Sequence, residues 1–596
     1  MATLIFGLIL LAVPFLLIDL FSDRKRGFIY VLFFLLLFQT ILAILTQSLG
    51  IFYYWVVATC TLVFDAVLLF LYFTKKDKKN FSFNFKNIDW VIIIVAAISI
   101  FCLYQVHYNY TGKISSATDQ VVSYHQVKNM AYPYPYFSDE WYAVSLVEGA
   151  ISTHSLPVKN LLDNTFFPNL ELFFHSFVAE IMLLLGLNPL LQYTILLIFF
   201  NTLIVLLVYL FLRLSNISKL AAGICSLLAL YITYGANLPG LWQFIPFNLG
   251  IIFFLLCLCF MEFGDAKTVF LSFVLASLFY PPLIPFYFVA LIIFLFCRLK
   301  MPKEHLLKVT GYGLLSLFFI IPIIYILLML SPLANTVNYI FSRIFFISFV
   351  APFIPQLYFY NIMPIPAILL AIFGLYYIYK NKKWVLLSVF ISGVIFWFFY
   401  SFTIYRFFAE YERIAIFTSI IVVVIAGFGL RQLEDYIKFK LEKNGDKVLE
   451  TTEIIILFVF LLLAPFYTRG ENWEKLVEIY PANGSAAYPK SPANNYLTQD
   501  DLKIFKNIKN KRFLSIPWKG TVIGVATRNY PVLTKQGTIS LGSDAILNNF
   551  LQADCVGKED MAKKLKLDYI YIYPFDCPDF KKIDESKEGL ILYNFL

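Results

Sequence analysis

Two polar strings interrupt an otherwise apolar chain and carry the residue types that chemistry needs. The first runs Tyr132-Pro-Tyr-Pro-Tyr-Phe-Ser-Asp-Glu-Trp-Tyr142 and holds adjacent carboxylates, Asp139 and Glu140. A carboxylate held close to a membrane surface, in a pocket walled by aromatics, can act as a general base on an acceptor hydroxyl. The pair also has a local explanation, because acids are favoured in the first turn of a helix and Ser138 has the chemistry of its cap. The second string, Tyr405-Arg-Phe-Phe-Ala-Glu-Tyr-Glu-Arg413, places Arg406 and Arg413 at the end of an apolar run. A guanidinium presents a fixed fork of donors that matches phosphate oxygens, so both are candidates for holding an anionic group, and Arg343 is a third. Pairing with Glu410 and Glu412 in a local salt network is the alternative for either.

Four of the five histidines, His107, His125, His154 and His175, fall in the stretch that holds the acid pair. His, Asp and Glu gathered on one side of a membrane protein point to a polar cavity. His154, His175 and Glu171 are therefore candidates for contacting an acceptor or a divalent metal (Mg or Mn), with Asp139 and Glu171 as the metal's carboxylates. No His-x-x-x-His or Cys-x-x-Cys spacing occurs, which argues against a dedicated zinc site.

The elements that must position these residues are set by composition. Of 596 residues, 60% are hydrophobic and 14% charged, against roughly 45–50% and about 25% in soluble chains. Disorder, fibrous repeats, small disulfide scaffolds and an ordinary soluble enzyme are excluded, because apolar runs of about 18 residues or more recur through the first part of the chain. About fourteen such runs can be marked, among them 3–20, 90–106, 218–235, 268–282, 284–299, 309–330, 364–380 and 452–468. The fold expected is a polytopic α-helical membrane protein. The run 2–20 has no basic residues before it and no small-residue cleavage site, so it reads as a retained span.

The net charge of +9 comes from 47 Lys and Arg against 38 Asp and Glu. Cytoplasmic basic loops produce such an excess, and nothing in it calls for nucleic acid. The basic loops 23–26, 75–86, 213–219, 298–308, 379–383 and 431–447 fall on one side if the N-terminus is outside. That arrangement requires 170–185 to lie in the interface or to re-enter. Its Glu171, His175 and Glu180 among apolar residues match an interfacial amphipathic helix.

Three long segments then share the outer side: 107–188, 331–364 and 468–596. The chain divides into a transmembrane domain, 1–468, whose outer loop 107–188 carries the acid pair, and an extracytoplasmic α/β domain, 469–596. In the latter, β-like runs at 513–516, 522–525, 569–573 and 590–593 alternate with helix-like stretches at 499–508 and 558–565. Cys555 and Cys577 are alone in this polar region, and outside the cytoplasm they can pair. The other six cysteines lie in apolar runs and read as small core residues. Both termini are expected outside, at the plasma membrane of a prokaryote.

The arrangement resembles the GT-C glycosyltransferases, which use polyprenyl-phosphate-linked sugars and include protein mannosyltransferases, lipid-A aminoarabinose transferases and oligosaccharyltransferases. The resemblance rests on the Asp-Glu pair in a large outer loop, the amphipathic stretch after it, the Arg-bearing string 405–413 before a late span, and the outer C-terminal domain. The run 174–214 is similar in style. The resemblance implies inverting transfer of a sugar from a polyprenyl-phosphate donor to a hydroxyl of a lipid, glycan or protein acceptor. Asp139 would be the base with Glu140 beside it, and Arg406 or Arg413 the donor-phosphate ligand. Both would border one outer cavity, carboxylate and guanidinium on opposite walls about one sugar apart. Where oligosaccharyltransferases carry a Trp-Trp-Asp motif this chain has only Glu471-Asn-Trp-Glu474, which disfavours peptide-sequon glycosylation. The three spans before Trp90 are additional to the usual arrangement. The absence of Gly-x-Gly-x-x-Gly and Walker loops fits a donor delivered by the lipid. The alternatives are a lipid-linked oligosaccharide flippase and a polysaccharide polymerase. A transporter tends to show inverted repeats and mid-membrane charges, whereas here Asp19 and Asp65 are the only acids well inside the early spans.

Overall fold

The computed structural model describes residues 2–21, 23–75, 89–118, 121–166, 169–232, 240–298, 348–349, 362–403, 405–406, 411–441, 448–449, 451–456, 459, 497–535 and 542–595. The first part is mostly helical. Helix α1 (Ala2–Ala12) continues through a 3₁₀ segment (Val13–Leu20) to α2 (Arg24–Ser48), α3 (Tyr54–Lys75) and α4 (Trp90–Tyr108). An antiparallel ribbon of β1 (Tyr110–Thr118) and β2 (Val121–Met130) leads to α5 (Ser138–Thr153) and α6 (Leu172–Leu185). Then follow α7 (Pro189–Leu214), α8 (Lys219–Leu227), α9 (Pro246–Phe263), α10 (Ala266–Phe279) and α11 (Ile284–Arg298). A two-residue strand, β3 (Ser348–Phe349), pairs with β4 (Tyr405–Arg406), and α12 (Ile365–Lys380), α13 (Trp384–Phe402) and α14 (Tyr411–Leu441) complete the bundle.

Six helices among the described residues, α2, α3, α7, α9, α13 and α14, are long and apolar enough to cross a membrane. This is a membrane protein, but the fourteen spans counted in the sequence are not reached among these residues. The runs 3–20, 218–235 and 364–380 form apolar helices of 17 residues or fewer, and of α4 only the part Trp90–Gln105 counts as an apolar helix, also below that length. The runs 268–282 and 284–299 form a pair bent by 113°. The bend falls at Pro281 and Pro282, which cannot continue a ladder of backbone hydrogen bonds. The run 309–330 and most of 452–468 lie outside the described residues.

Side-chain bonds give the bundle two chemically different ends. At one, Tyr30 Oη donates to Asp265 Oδ2 at 2.7 Å, and the Arg26 guanidinium lies 5.0 Å from the Phe263 ring centre. At the same end Tyr209 donates to Asp89 at 2.7 Å, Lys383 pairs with Glu262 at 2.5 Å, and Arg431 donates to the carbonyls of Ser215 and Asn216 at 3.0 Å. The basic loops 23–26, 213–219, 379–383 and the start of 431–447 are thus gathered in space. Nearly all of loops 75–86 and 298–308 lies outside the described residues.

Helices α2 and α4 both start at this basic end and finish at the other. Helix α7 runs opposite to α4, since Tyr108 Oη at the end of α4 lies 2.8 Å from Thr194 Oγ1 in the second turn of α7. Gln47, near the end of α2, donates to the Ser176 carbonyl early in α6 at 3.1 Å, and α6 hands over directly to α7. Both ends of α6 therefore lie away from the basic end, so α6 does not run from one end of the bundle to the other. It is no surface amphipathic helix, however. Of its 14 residues 12 are buried, Glu180 included, because α1, α2, α3 and α5 cover it on successive sides.

The C-terminal unit contains α15 (Gln499–Ile504), β5 (Arg512–Ser515), α16 (Pro517–Thr527), β6 (Tyr530–Pro531), α17 (Asp544–Gln552), α18 (Cys555–Leu565), β7 (Tyr569–Ile572), β8 (Phe580–Glu585) and β9 (Ile591–Phe595). Its sheet has the order β6-β5-β7-β9-β8, parallel from β6 to β7 and antiparallel beyond. The run 522–525, β-like in sequence, is the buried side of α16. A four-residue apolar run cannot by itself distinguish the two, and Pro517 at the first helical turn starts the helix. Lys519 on α16 is fully buried and lies 2.6 Å from Asp501 and 2.8 Å from Glu588, while Tyr571 donates to Asp501 at 2.9 Å. A disulfide joins Cys555 to Cys577.

Candidate functional site

At the end of the bundle away from the basic loops, the two polar strings of the sequence meet. Asp139 stands in the first turn of α5 and Arg413 in the first turn of α14, and Arg413 Nη2 donates to Asp139 Oδ2 at 2.8 Å. The arginine is buried and the aspartate's side chain keeps 38% exposure, so this ion pair faces solvent through its carboxylate. The expected separation across a cavity is not seen: the two groups touch.

Glu140 points the other way. It is fully buried, its Oε1 accepts from the Phe244 amide at 2.9 Å, and its Oε2 accepts from the Phe137 amide at 3.4 Å. Burial pushes its carboxyl up to about 8, against the opposing effect of the Phe244, Phe137 and Tyr136 amides. Ser138 is not the cap. Phe137 occupies that position in extended conformation, and Glu140 reaches back to its amide, as the last member of a capping box does. The first-turn explanation of the acids is therefore correct for both, and Asp139 has a distant partner as well.

The segment that receives Glu140 is itself clamped. Asn201 on α7 donates to the Leu241 and Gln243 carbonyls at 2.7 and 2.9 Å. Asn248 on α9 donates to Asn201 Oδ1 at 2.8 Å and accepts from the Ile245 amide at 3.0 Å. Tyr193 Oη donates to the Phe244 carbonyl at 2.6 Å. None of these residues stood out in the sequence. The available signal was an Asn inside each of two apolar runs, since polar residues within such runs usually have a definite partner.

Aromatic residues wall the start of α5. Tyr132 and Tyr136 stack at 5.0 Å, Tyr134 and Trp141 at 6.3 Å, and all four are buried. The C-terminal unit docks on the same helix. The Leu497 amide donates to Tyr132 Oη at 3.2 Å, Tyr142 Oη donates to the Lys535 carbonyl, and Arg528 pairs with Glu148.

No protein-family model and no curated protein match this chain. Two solved transferases are similar to it. The Archaeoglobus fulgidus oligosaccharyltransferase, tethered to an acceptor peptide containing the NVT sequon, shows 14% identity and a TM-score of 0.41 over 81% of this chain and 69% of that one. The mycobacterial arabinofuranosyltransferase AftD shows 11% identity and a TM-score of 0.45 over 87% of this chain and 42% of that one, so the chain spans less than half of AftD. Both scores are below 0.5, and the functional reading rests on the geometry of the site.

Four further candidates, His154, His175, Glu171 and His107, have other partners. His154 ends α5 in left-handed conformation, its Nδ1 lies 2.8 Å from the Phe52 carbonyl and its ring lies 4.0 Å from that of Tyr53. His175 is buried, with Nδ1 3.2 Å from Asn169 Oδ1 and 3.0 Å from the Glu171 carbonyl. Glu171 precedes α6 and its amide donates to Asn169. His107 Nδ1 lies 3.2 Å from the Tyr132 carbonyl, where it supports the aromatic wall. The backbone of Arg406 is in β4, paired with Ser348, and its side chain lies outside the description, as do Arg343 and the side chain of His125. Asp139 is engaged by a guanidinium, and among the described residues no three His, Cys, Asp or Glu side chains gather.

Proposed function

We propose that this protein transfers a sugar from a polyprenyl-phosphate donor to an acceptor hydroxyl at the outer face of a prokaryotic plasma membrane, with both termini on that side. The observation that carries the reading is the contact between Asp139 and Arg413, a base and a phosphate-binding cation from opposite parts of the chain at the end opposite the basic loops. In the resting protein each holds the other. An arriving phosphate competes with the carboxylate for the guanidinium, which frees an Asp139 oxygen for the acceptor. The acceptor O–H bond then breaks, its proton passes to Asp139, and its oxygen bonds to the anomeric carbon. The bond from that carbon to the phosphate oxygen breaks on the opposite face, and the electron pair leaves with the polyprenyl phosphate. Configuration inverts.

Phosphate is already a good leaving group, so positioning and charge are the main contributions asked of the protein. Glu140 contributes by fixing the first turn of α5 against the 240–245 segment. The test is transfer of a radiolabelled sugar from polyprenyl phosphate by the purified protein, beside its Asp139→Asn variant. Release of free polyprenyl phosphate only with wild type supports the reading; movement of intact donor across a vesicle without cleavage opposes it.

A further inference from the structure

A cavity of about 480 Å³ lies between the loop that follows α5 and the C-terminal unit. Its size is within the range of small-molecule sites. The loop is rigidly made. The Leu162 amide donates to Asn160 Oδ1 at 3.0 Å, the Asn164 amide to the Asn160 carbonyl at 2.8 Å, and Asn160 to the Thr165 carbonyl at 2.9 Å. Leu162 is buried against Gly524 of α16, where a Cβ would come within 2.8 Å of its methyl group. Cavity walls from the two units are thereby held in register.

The chemistry of the lining is mixed in a particular way. Asp163 and Arg512 both border the cavity, yet they form no ion pair with each other or with any other described residue. Asp163 uses Oδ1 for the Thr165 amide and hydroxyl, at 3.0 and 2.7 Å, which fixes the carboxylate and leaves Oδ2 without a partner among the described residues. Arg512 uses its amide to bind Asp568, and its side chain is exposed. Asn164 and Tyr530 add an amide and a phenol, and the floor is apolar.

An apolar ligand would desolvate two charges without compensation. An anion would meet Asp163 and a cation would meet Arg512. A neutral polyhydroxylated ring answers both walls, with one hydroxyl donating to Asp163, another accepting from Arg512, and a C–H face against Tyr530 and the floor. We propose that this cavity binds one neutral sugar ring of a glycan. Its role as a distal acceptor subsite rests on the transfer reading above. Leu161 of this loop packs against Gly149 of α5, ten positions along the helix from Asp139 and so about 15 Å away, so a glycan engaging both the cavity and Asp139 is more than one ring long.

The experiment is saturation-transfer NMR on the full chain in detergent, using methyl glycosides of mannose, galactose, glucose and arabinofuranose, with Asn164→Ala and Arg512→Ala variants. Both substituted residues are exposed, and unchanged melting temperatures check the fold. At least one glycoside should bind to wild type, and each substitution should weaken it roughly tenfold or more, as expected for a lost hydrogen bond to a charged or well-placed group. Asp139→Asn should leave this binding intact. Absence of binding by all four, or binding indifferent to both substitutions, overturns the proposal. Should Asp139→Asn instead retain full sugar transfer, the transfer reading fails while the binding result still decides the cavity.

Discussion

Arg413 Nη2 and Asp139 Oδ2 are 2.8 Å apart although 274 positions separate them in sequence. The pair links the first turns of α5 and α14, so each helix start fixes the other. Replacing Asp139 by Asn keeps a group able to accept from the guanidinium while removing the base. Donor binding should hold or tighten, since a neutral amide competes less for Arg413 than the carboxylate does, and turnover should fall roughly 10²–10⁴-fold. Equal loss in both, measured by donor titration and single-turnover transfer, would count against a base at this position.

Arg413→Ala should act differently. It removes a buried cation that holds Asp139 and, in the proposed cycle, the donor phosphate. Affinity for polyprenyl phosphate should drop about 10–100-fold, the range for a charged hydrogen bond. Arg413→Lys should recover part of the affinity, since a point charge replaces the fork. Unaltered phosphate binding in the Ala variant would remove Arg413 from the site.

Glu140 gives a pH prediction. Burial raises its carboxyl from 4.5 to about 8, so between those values the folded protein holds a proton that the unfolded chain has released. The group's contribution to stability is therefore complete at low pH and is lost as pH rises toward about 8, by at most about 1.4 kcal/mol per pH unit. Glu140→Gln should abolish this slope. Thermal melts of both proteins at acid and mildly alkaline pH decide it: a difference between them that does not change with pH contradicts the assignment.

Lys519→Met tests the buried cluster of the C-terminal unit. It leaves Asp501 and Glu588 without their cation in a site where Lys519 and Asp501 have no exposure. Breaking a buried pair in this way costs about 3–5 kcal/mol. Denaturant unfolding should shift accordingly, and an unchanged midpoint would show that the acids are neutral when folded.

Reduction of the Cys555–Cys577 bond opens a loop with a sequence separation of 22. On the chain-entropy model a loop of this size contributes about 3 kcal/mol. A Cys577→Ser variant should unfold at correspondingly lower denaturant, and an identical transition under reducing and oxidising conditions would dismiss the bond.

Much of this protein could be read from the order of its residues alone. Apolar runs long enough to cross a bilayer announce themselves by composition, because no soluble core accommodates so many in succession. The side on which Lys and Arg collect follows from the same residues, and Arg26, Lys383 and Arg431 are indeed gathered at one end. Local chemistry also marked Asp139, Glu140 and Arg413 as residues out of keeping with their surroundings.

Partner choice was decided only in three dimensions. Adjacent in sequence, Asp139 and Glu140 lie one residue apart on a helix and so face about 100° apart. One meets Arg413 at the surface, the other meets the Phe244 amide in the interior. No periodicity predicts which, because the answer depends on α9 and α14 arriving from distant parts of the chain. The same holds for α6, whose His175 and Glu180 suggested an exposed face until neighbouring helices covered it. Hydrophobic pattern reports how much surface must be buried. Which surface covers which is settled by packing, a property of the assembled bundle that no single run contains.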